Sequence, residues 1–297
     1  QRVPVLGNGP RRATVGRCVG DQELPASFRE RIVARIAGEY RSRLTADYDA
    51  IHGSVCVFPE HRFYENWSAY SGAYSPVTLE TGIPREKLVA LARSLNRVPD
   101  GFQVNPKLER LLAKRRESVE KGQGIDWANA EALDFAGLLA EGRPVRLSGQ
   151  DSGRGTFSQR HSVLVDTGNG RAFTPLNALG ESQALFSVCN SPLSEVGVLG
   201  FEYGYSLARP EGLVLWEAQF GDFVNNAQSV IDLFITSGET KWQRLSGLTL
   251  LLPHGLEGLG PEHSSARIER FLQLCAGENM QVCQPSTPAQ YFHLLRR

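Results

Sequence analysis

The spacing of hydrophobic positions changes character near residue 125. Upstream, between Pro25 and Ile51, the residues Ile32, Ile36, Tyr40, Leu44 and Tyr48 recur every four positions among many charges. That period predicts one amphipathic helix lying against a partner surface. Residues 1–24 are polar, basic and glycine-rich with no period and read as loosely ordered. Residues 52–82 are aromatic and irregular and read as a connecting arm, followed by a helical pair around 84–96 and 106–121. From Ile125 the pattern becomes strict. "WANAEALDFAGLLAEG" predicts a helix and "PVRLS" a strand, and "HSVLVDTGNGRAFTPL" predicts a hairpin turning at Thr-Gly-Asn-Gly. The strand Ala184–Cys189 feeds a glycine-rich helix over Ser191–Ala208. The strand Leu213–Glu217 feeds a helix with Ala227, Val230, Ile231 and Phe234 on one face, closed by Gly238. The strand Leu248–Leu252 feeds a helix with Ile268, Phe271, Leu272 and Cys275 on one face, closed by Gly277 and N-capped by Ser264. The strand Met280–Gln284 feeds a last helix opening at Thr287-Pro288.

Four strand–loop–helix repeats with nearly all-apolar strands predict an α/β fold, a doubly wound parallel sheet covered on both faces. Ligands in such sheets lie beyond the carboxyl ends of the strands, so the loops to read for chemistry are "RLSGQDSGRGTFSQRH", "CNSPLSE", "WEAQFGDF" and "LLPHGLEGLGPEHSS". The helix "SPLSEVGVLGFEYGYSLA" carries two acids in an apolar setting. Glu195 and Glu202 are seven residues apart, which at about 100° each puts them on nearly one face. A buried carboxylate is costly unless something specific receives it. Glu195, at the first turn, interacts favourably with the helix dipole, and it is equally placed to meet a ring nitrogen of a ligand; Glu202 reads as structural. Phe220 and Phe223 read as core by type, and as a wall for a flat heteroaromatic ring by position. His254 and His263 share a polar, glycine-rich loop that suits either ordinary polar contacts or substrate. Arg154, Arg160 and His161 are candidates to receive an anionic group. "SGQDSGRG" fits neither the dinucleotide fingerprint nor the phosphate loop that ends in Gly-Lys-Ser/Thr.

Composition narrows the classes. Lysine plus arginine equals aspartate plus glutamate at 32 each, which argues against a nucleic-acid footprint. No apolar run approaches a membrane span, and the start of the chain has no apolar leader pattern. The five cysteines, Cys18, Cys56, Cys189, Cys275 and Cys283, are odd in number and dispersed. They read as reduced core thiols of a cytosol or matrix rather than a disulfide framework. The six histidines lack zinc-ligand spacing, so no metal site is expected. The chain opens on Gln1 and stops in mid-helix, and reads as a piece of something longer.

The stretches "RLSGQDSGRGTFSQRHSVL", "SPLSEVGVLGFEYGYSLA", "LVLWEAQFGDFVNNAQSVIDLFI", "SGLTLLLPHGLEGLGPEHSSARIERFLQLC" and "QVCQPSTPAQYFHLLRR" resemble the thiamine-diphosphate-dependent 2-oxoglutarate dehydrogenase decarboxylase family, from about Thr81 to Arg297. The resemblance implies a transketolase-like pyrimidine-binding domain over 125–297, a helical linker over 81–124, and a basic segment, helix and arm over 1–80. It gives Glu195 the role of binding the aminopyrimidine ring nitrogen of thiamine diphosphate, favouring the imino tautomer from which the nucleophilic ylid arises. It makes Phe220 and Phe223 the ring pocket, and His254 and His263 catalytic groups facing substrate. It leaves Gln150, Arg154, Arg160, His161 and Ser264 facing substrate or an anion. Gln159, Leu256 and Leu259 depart from the common pattern, in a direction compatible with 2-oxoadipate as substrate. The family's diphosphate and Mg2+ motif is not found in these 297 residues. The resemblance therefore implies half a site, inactive alone and completed in a homodimer that decarboxylates 2-oxoglutarate and passes a succinyl group to a lipoylated succinyltransferase. The other class open to this sequence is a non-catalytic dimerisation or assembly module.

Overall fold

The computed structural model describes residues 26–53, 67–70, 79–256 and 260–297. The chain falls into two compact units, 1–61 and 62–297. The first is described by one long helix, α1 (Ala26–Gly53), whose Ile36, Tyr40, Leu44 and Tyr48 are solvent-exposed.

The second unit opens with α2 (Arg85–Leu95) and α3 (Pro106–Lys121), the latter started by Pro106 behind an Asn105 cap. In α4 (Trp127–Ala140) the Asp126 side chain caps the Asn129 amide. Then come β1 (Val145–Gly149), the antiparallel hairpin of β2 (Leu164–Val165) and β3 (Ala172–Phe173), β4 (Phe186–Asn190), α5 (Glu195–Ala208) and β5 (Leu213–Glu217). A 3-10 turn, Gly221–Ala227, leads into α6 (Gln228–Val230), a π turn over Ile231–Ile235 and α7 (Gly238–Trp242). β6 (Leu248–Leu251), α8 (Ile268–Leu274) and α9 (Pro288–Arg296) complete the order.

The main sheet runs β4-β1-β5-β6 with every pair parallel, so that Ser148 lies between Cys189 and Trp216. Adjacent residues of β5 point to opposite faces, as the pleat requires. Leu215 joins Leu147, Phe135, Leu139 and Leu295 in a core under α4 and α9. Trp216 joins Leu199, Val224, Ile231 and Phe271 in a second core under α5 and α8. The sheet is thus doubly wound, as the apolar strands predict. Among the described residues no helix is long and apolar enough to cross a membrane.

Five local expectations are corrected. Met280–Gln284 is not a strand. Its approach is fixed instead by Asn279, whose Nδ2 donates to the carbonyls of Thr236 and Leu274 at 2.8 and 3.1 Å. The helix expected across Ala227–Phe234 is broken into 3-10, α and π pieces. The Thr236 and Ser237 hydroxyls both donate to the Asp232 carbonyl, and the Thr236 amide reaches back five residues to Ile231. Gly238 begins a helix rather than ending one. Ser264 does not cap α8, which starts behind Arg267 at φ 53°, although Gly277 does take a left-handed φ of 59° after it. Cys275 and Cys283 are exposed rather than core, one at the C-cap of α8 and one on the extended segment beyond it; Cys18 and Cys56 lie outside the described residues.

Buried charge is concentrated at a few places. Arg160 lies between two carboxylates. Its Nε and Nη2 donate to Glu131 at 2.6 and 3.2 Å, and its Nη1 and Nη2 donate to Glu217 at 2.7 and 2.6 Å. Nη1 also reaches the Ser152 carbonyl at 2.9 Å, and Tyr291 Oη donates to Glu131 at 2.9 Å. Burial works against the Arg160 charge, and the two carboxylates overcome it, holding the guanidinium above its ordinary value. Three elements meet at this one side chain, α4, the loop after β1 and β5, and α9 joins them through Tyr291 on Glu131. Arg160→Ala would leave two buried carboxylates facing each other. It should cost about 3–5 kcal/mol, read as a lower urea midpoint at unchanged slope; a midpoint within error of the parent would refute the assignment.

Asp134 is fully buried in α4, and neither carboxylate oxygen has a hydrogen-bond partner among the described residues. Burial raises it from 3.8 to about 8, with Arg296 opposing and Glu131 and Glu141 adding to the shift. The folded chain therefore keeps a proton that the unfolded chain releases above about pH 4. This group makes stability fall as pH rises from about 4 to about 8, and adds no further slope above that. Asp134→Asn should flatten this part of the stability–pH curve. Chemical denaturation at about pH 5 and about pH 8 checks it, and a variant as pH-dependent as the parent would rule the buried proton out.

Candidate active site

The loops after β1, β4, β5 and β6 meet at the carboxyl edge of the sheet, where Ser191 N–H returns to the Gly149 carbonyl at 2.8 Å. Glu195 is the first residue of α5 and is buried. Gln150 Nε2, from the loop after β1, donates to its Oε1 at 3.1 Å, and Asn226 Nδ2, from the 3-10 turn after β5, donates to its Oε2 at 3.4 Å. A carboxylate has about four acceptor positions, so two amide donors orient the group and leave capacity for a third partner. Glu202, two turns deeper, is different. Arg146 grips it from β1 with Nε and Nη2 at 2.7 and 2.8 Å, while the guanidinium carbon lies 5.3 and 4.7 Å from the Phe201 and Tyr205 ring centres. That fork, before any other influence, raises Arg146 above its ordinary value.

A second cluster lies over the end of β5. Phe220 and Phe223 meet edge to face at 5.9 Å, and His263 stands against both, at 4.4 and 5.5 Å between ring centres; Phe157 closes on Phe220 at 5.6 Å. The two histidines have opposite hydrogen-bond patterns. His263 Nδ1 lies 2.7 Å from the Pro261 carbonyl, which can only accept, so Nδ1 donates, and in the neutral ring the lone pair is on Nε2. His254 Nδ1 accepts the Ala266 N–H at 3.0 Å, so its proton is on Nε2. A groove of about 2060 Å³ takes in Phe157, Glu217, Phe220, His254 and His263 and continues along β6; Glu195 is not on its wall.

The remaining candidates divide. Gln150 joins Glu195. Arg160 is corrected: it is sealed between Glu131 and Glu217 and has no donor left for an anionic ligand. Arg154 sits at the surface in an ion pair with Asp151 at 3.2 Å. His161 is half-buried at φ 52°, and burial lowers it from its ordinary value. Ser264 contributes its carbonyl to Gly255 N–H at 2.9 Å and so serves the loop's shape. Leu256 is exposed and Leu259 lies outside the described residues. Sequence reasoning missed Asn226, Asp222 and the pair Glu131 and Glu217. Glu131 carried the same signal as Glu195, an acid inside an apolar helix. Asn226 and Asp222 carried none, because their partners come from distant loops. Among the described residues no group of three or more His, Cys, Asp or Glu side chains could hold a metal ion.

Residues 123–297 match the pyrimidine-binding domain of transketolase. The chain belongs to the transketolase pyrimidine-binding domain family. It is 52% identical over 264 residues to the 2-oxoglutarate dehydrogenase E1 component of Rickettsia conorii, covering 89% of this chain and 28% of that protein. It is 58% identical over 218 residues to the Brucella ovis protein of the same name, covering 73% of this chain and 22% of that protein. The chain therefore spans about a quarter of the length of these relatives.

Within this pyrimidine-binding domain the contact between the β5 and β6 loops depends on a missing side chain. Gly221 N–H donates to the Pro253 carbonyl at 3.0 Å, and a Cβ there would stand 2.5 Å from that oxygen and 2.7 Å from Ala266 Cβ. Gly221→Ala must push the two loops apart. It should destabilise by about 1–3 kcal/mol and shift the His254 and His263 imidazole resonances; unchanged resonances would show that the loops are not in contact.

Proposed function

We propose that this chain is the pyrimidine-binding segment of a 2-oxoglutarate dehydrogenase E1 component, and that Glu195 holds the aminopyrimidine ring of thiamine diphosphate. The observation that carries the reading is the state of the Glu195 carboxylate. It is buried at the sheet's carboxyl edge and oriented by the Gln150 and Asn226 amides, with acceptor positions to spare. An acid kept there with no charged partner among the described residues suits a ligand that shares a proton with it. Phe220 and Phe223 offer ring edges and faces to a flat heteroaromatic group, so the residues present fit the pyrimidine end. The bound cofactor supplies a carbon nucleophile and an electron sink.

The protein's own part is control of protons and orientation. Glu195 holds or releases a proton at Oε1 or Oε2, and Gln150 and Asn226 fix where those atoms lie. His254 presents Nε2–H as a donor to substrate oxygens, and His263 presents the Nε2 lone pair as an acceptor. In this reading Gln150 serves Glu195, and Arg154, His161 and Ser264 lie at the rim. Identity to proteins named for 2-oxoglutarate favours that diacid over 2-oxoadipate. The diphosphate and its Mg2+ are held by parts of the enzyme outside this chain. The lipoylated succinyltransferase receives the acyl group, in the bacterial cytoplasm or mitochondrial matrix. A second copy of the subunit docks on α5, whose Val196 and Phe201 are exposed and whose Gly204 has open space before it.

In the full-length enzyme, Glu195→Gln should keep its thermal midpoint close to that of the parent. Thiamine-diphosphate-dependent proton exchange at the reactive carbon should fall about 10²- to 10³-fold. Exchange at the parental rate would end the assignment. The isolated chain should bind thiamine diphosphate feebly and without dependence on Mg2+; tight, Mg2+-dependent binding by calorimetry would contradict the division of the site.

A further inference from the structure

The loop after β6 bears both histidines, and three of its backbone N–H groups are anchored. Gly255 N–H donates to the Ser264 carbonyl at 2.9 Å, and Ala266 N–H donates to His254 Nδ1 at 3.0 Å. Between them, Ser265 N–H donates to both carboxylate oxygens of Asp222, at 3.1 and 3.2 Å. Asp222 is 5% exposed and sits in the 3-10 turn between Phe220 and Phe223. The loop holds two residues in the left-handed region, Glu262 at φ 61° and Arg267 at φ 53°. Such conformations are strained for residues with a side chain and persist only where the surroundings over-determine them. A charge-assisted bond to a buried carboxylate is the strongest restraint of the three. It joins the loop to the segment that carries the aromatic pair.

We propose that Asp222 is a positioning residue: by holding the Ser265 amide it sets the His263 imidazole against Phe220 and Phe223, with Nδ1–H on the Pro261 carbonyl and Nε2 facing substrate. The last clause rests on the reading of His263 as substrate-facing. The link from Asp222 to His263 runs through contacts within this chain. Removing the carboxylate frees Ser265, lets the strained Glu262 relax and loosens the Pro261 contact that selects the His263 tautomer. His254 has its own bond to Ala266 and is less affected.

The link is read directly by nitrogen-15 NMR of the histidines in this chain. The parent should show His263 protonated at Nδ1 with a Ser265 amide protected from exchange, and Asp222→Ala should move His263 toward the Nε2-protonated form. In the full-length enzyme the same substitution should lower kcat on 2-oxoglutarate about 10- to 100-fold with cofactor affinity little changed. Asp222→Asn, which keeps one acceptor oxygen, should recover most of that loss. A parent Ser265 amide that exchanges freely overturns the proposal even if Asp222→Ala fails to fold. So does an Asp222→Ala chain with the parental His263 tautomer. Normal turnover in His263→Ala would sink the substrate-facing reading alone, since the NMR measurement does not pass through turnover.

Discussion

Arg160 is a positive charge shut inside the protein between two carboxylates, and the carboxyl edge of the sheet is organised around the cost of putting it there. Taking a guanidinium and two carboxylates out of water is repaid only if the geometry is good and the remaining donors are satisfied. Here Nε and both Nη atoms reach oxygens of Glu131, Glu217 and the Ser152 carbonyl, and Tyr291 donates to Glu131. The residues concerned lie on two helices, a strand end and a loop that are far apart in sequence. None of these elements can shift by an ångström without stranding a charge. That constraint fixes the loop after β1, and with it Gln150, the donor that orients Glu195.

The same economy explains why the edge has two clusters. The acid cluster of Gln150, Glu195 and Asn226 gathers the ends of β1 and β4. The aromatic cluster of Phe220, Phe223 and His263 gathers the ends of β5 and β6, and Phe157 joins it from the loop after β1. The 3-10 turn Gly221–Ala227 belongs to both, since it carries Asp222 and Asn226 at its two ends. A short irregular turn suits this better than a regular helix. An α-helical turn would place residues four apart on one face, whereas here one must reach across toward β4 and the other toward the loop after β6.

How much of this was legible in the sequence depended on the range of the interaction concerned. β5 was readable to the residue because an apolar run bounded by polar turns is a local signal, and Glu195 stood out because an acid in a glycine-rich apolar helix is anomalous by itself. Arg160 was misread as a receiver of anions for the opposite reason. In the string it is a basic residue in a glycine-rich loop, while its partners are 29 and 57 positions away. The broken helix after β5 was likewise invisible. Its apolar face keeps helical spacing, while the Thr236 and Ser237 hydroxyls both compete for the Asp232 carbonyl at the wider turn. Met280–Gln284 has the composition of a strand, yet the side chain of Asn279 fixes its entry at Thr236 and Leu274 rather than beside β6.

The two acids of α5 show what turns a buried carboxylate into a functional one. Both are buried and both lie on nearly one face of the helix. Glu202 meets a guanidinium that takes both its oxygens in a fork and is itself covered by Phe201 and Tyr205. Its charge is matched, its geometry is fixed, and nothing is left for a ligand. Among the described residues, Glu195 meets two neutral amides, one at 3.1 Å and one at the long distance of 3.4 Å. Amides orient a carboxylate without matching its charge, and a donor at 3.4 Å is readily replaced by a better one. The position along α5 decides which acid is which. Glu202 lies beside β1, where Arg146 can reach it, whereas Glu195 lies past the strand ends, where the next partner must come from outside the sheet.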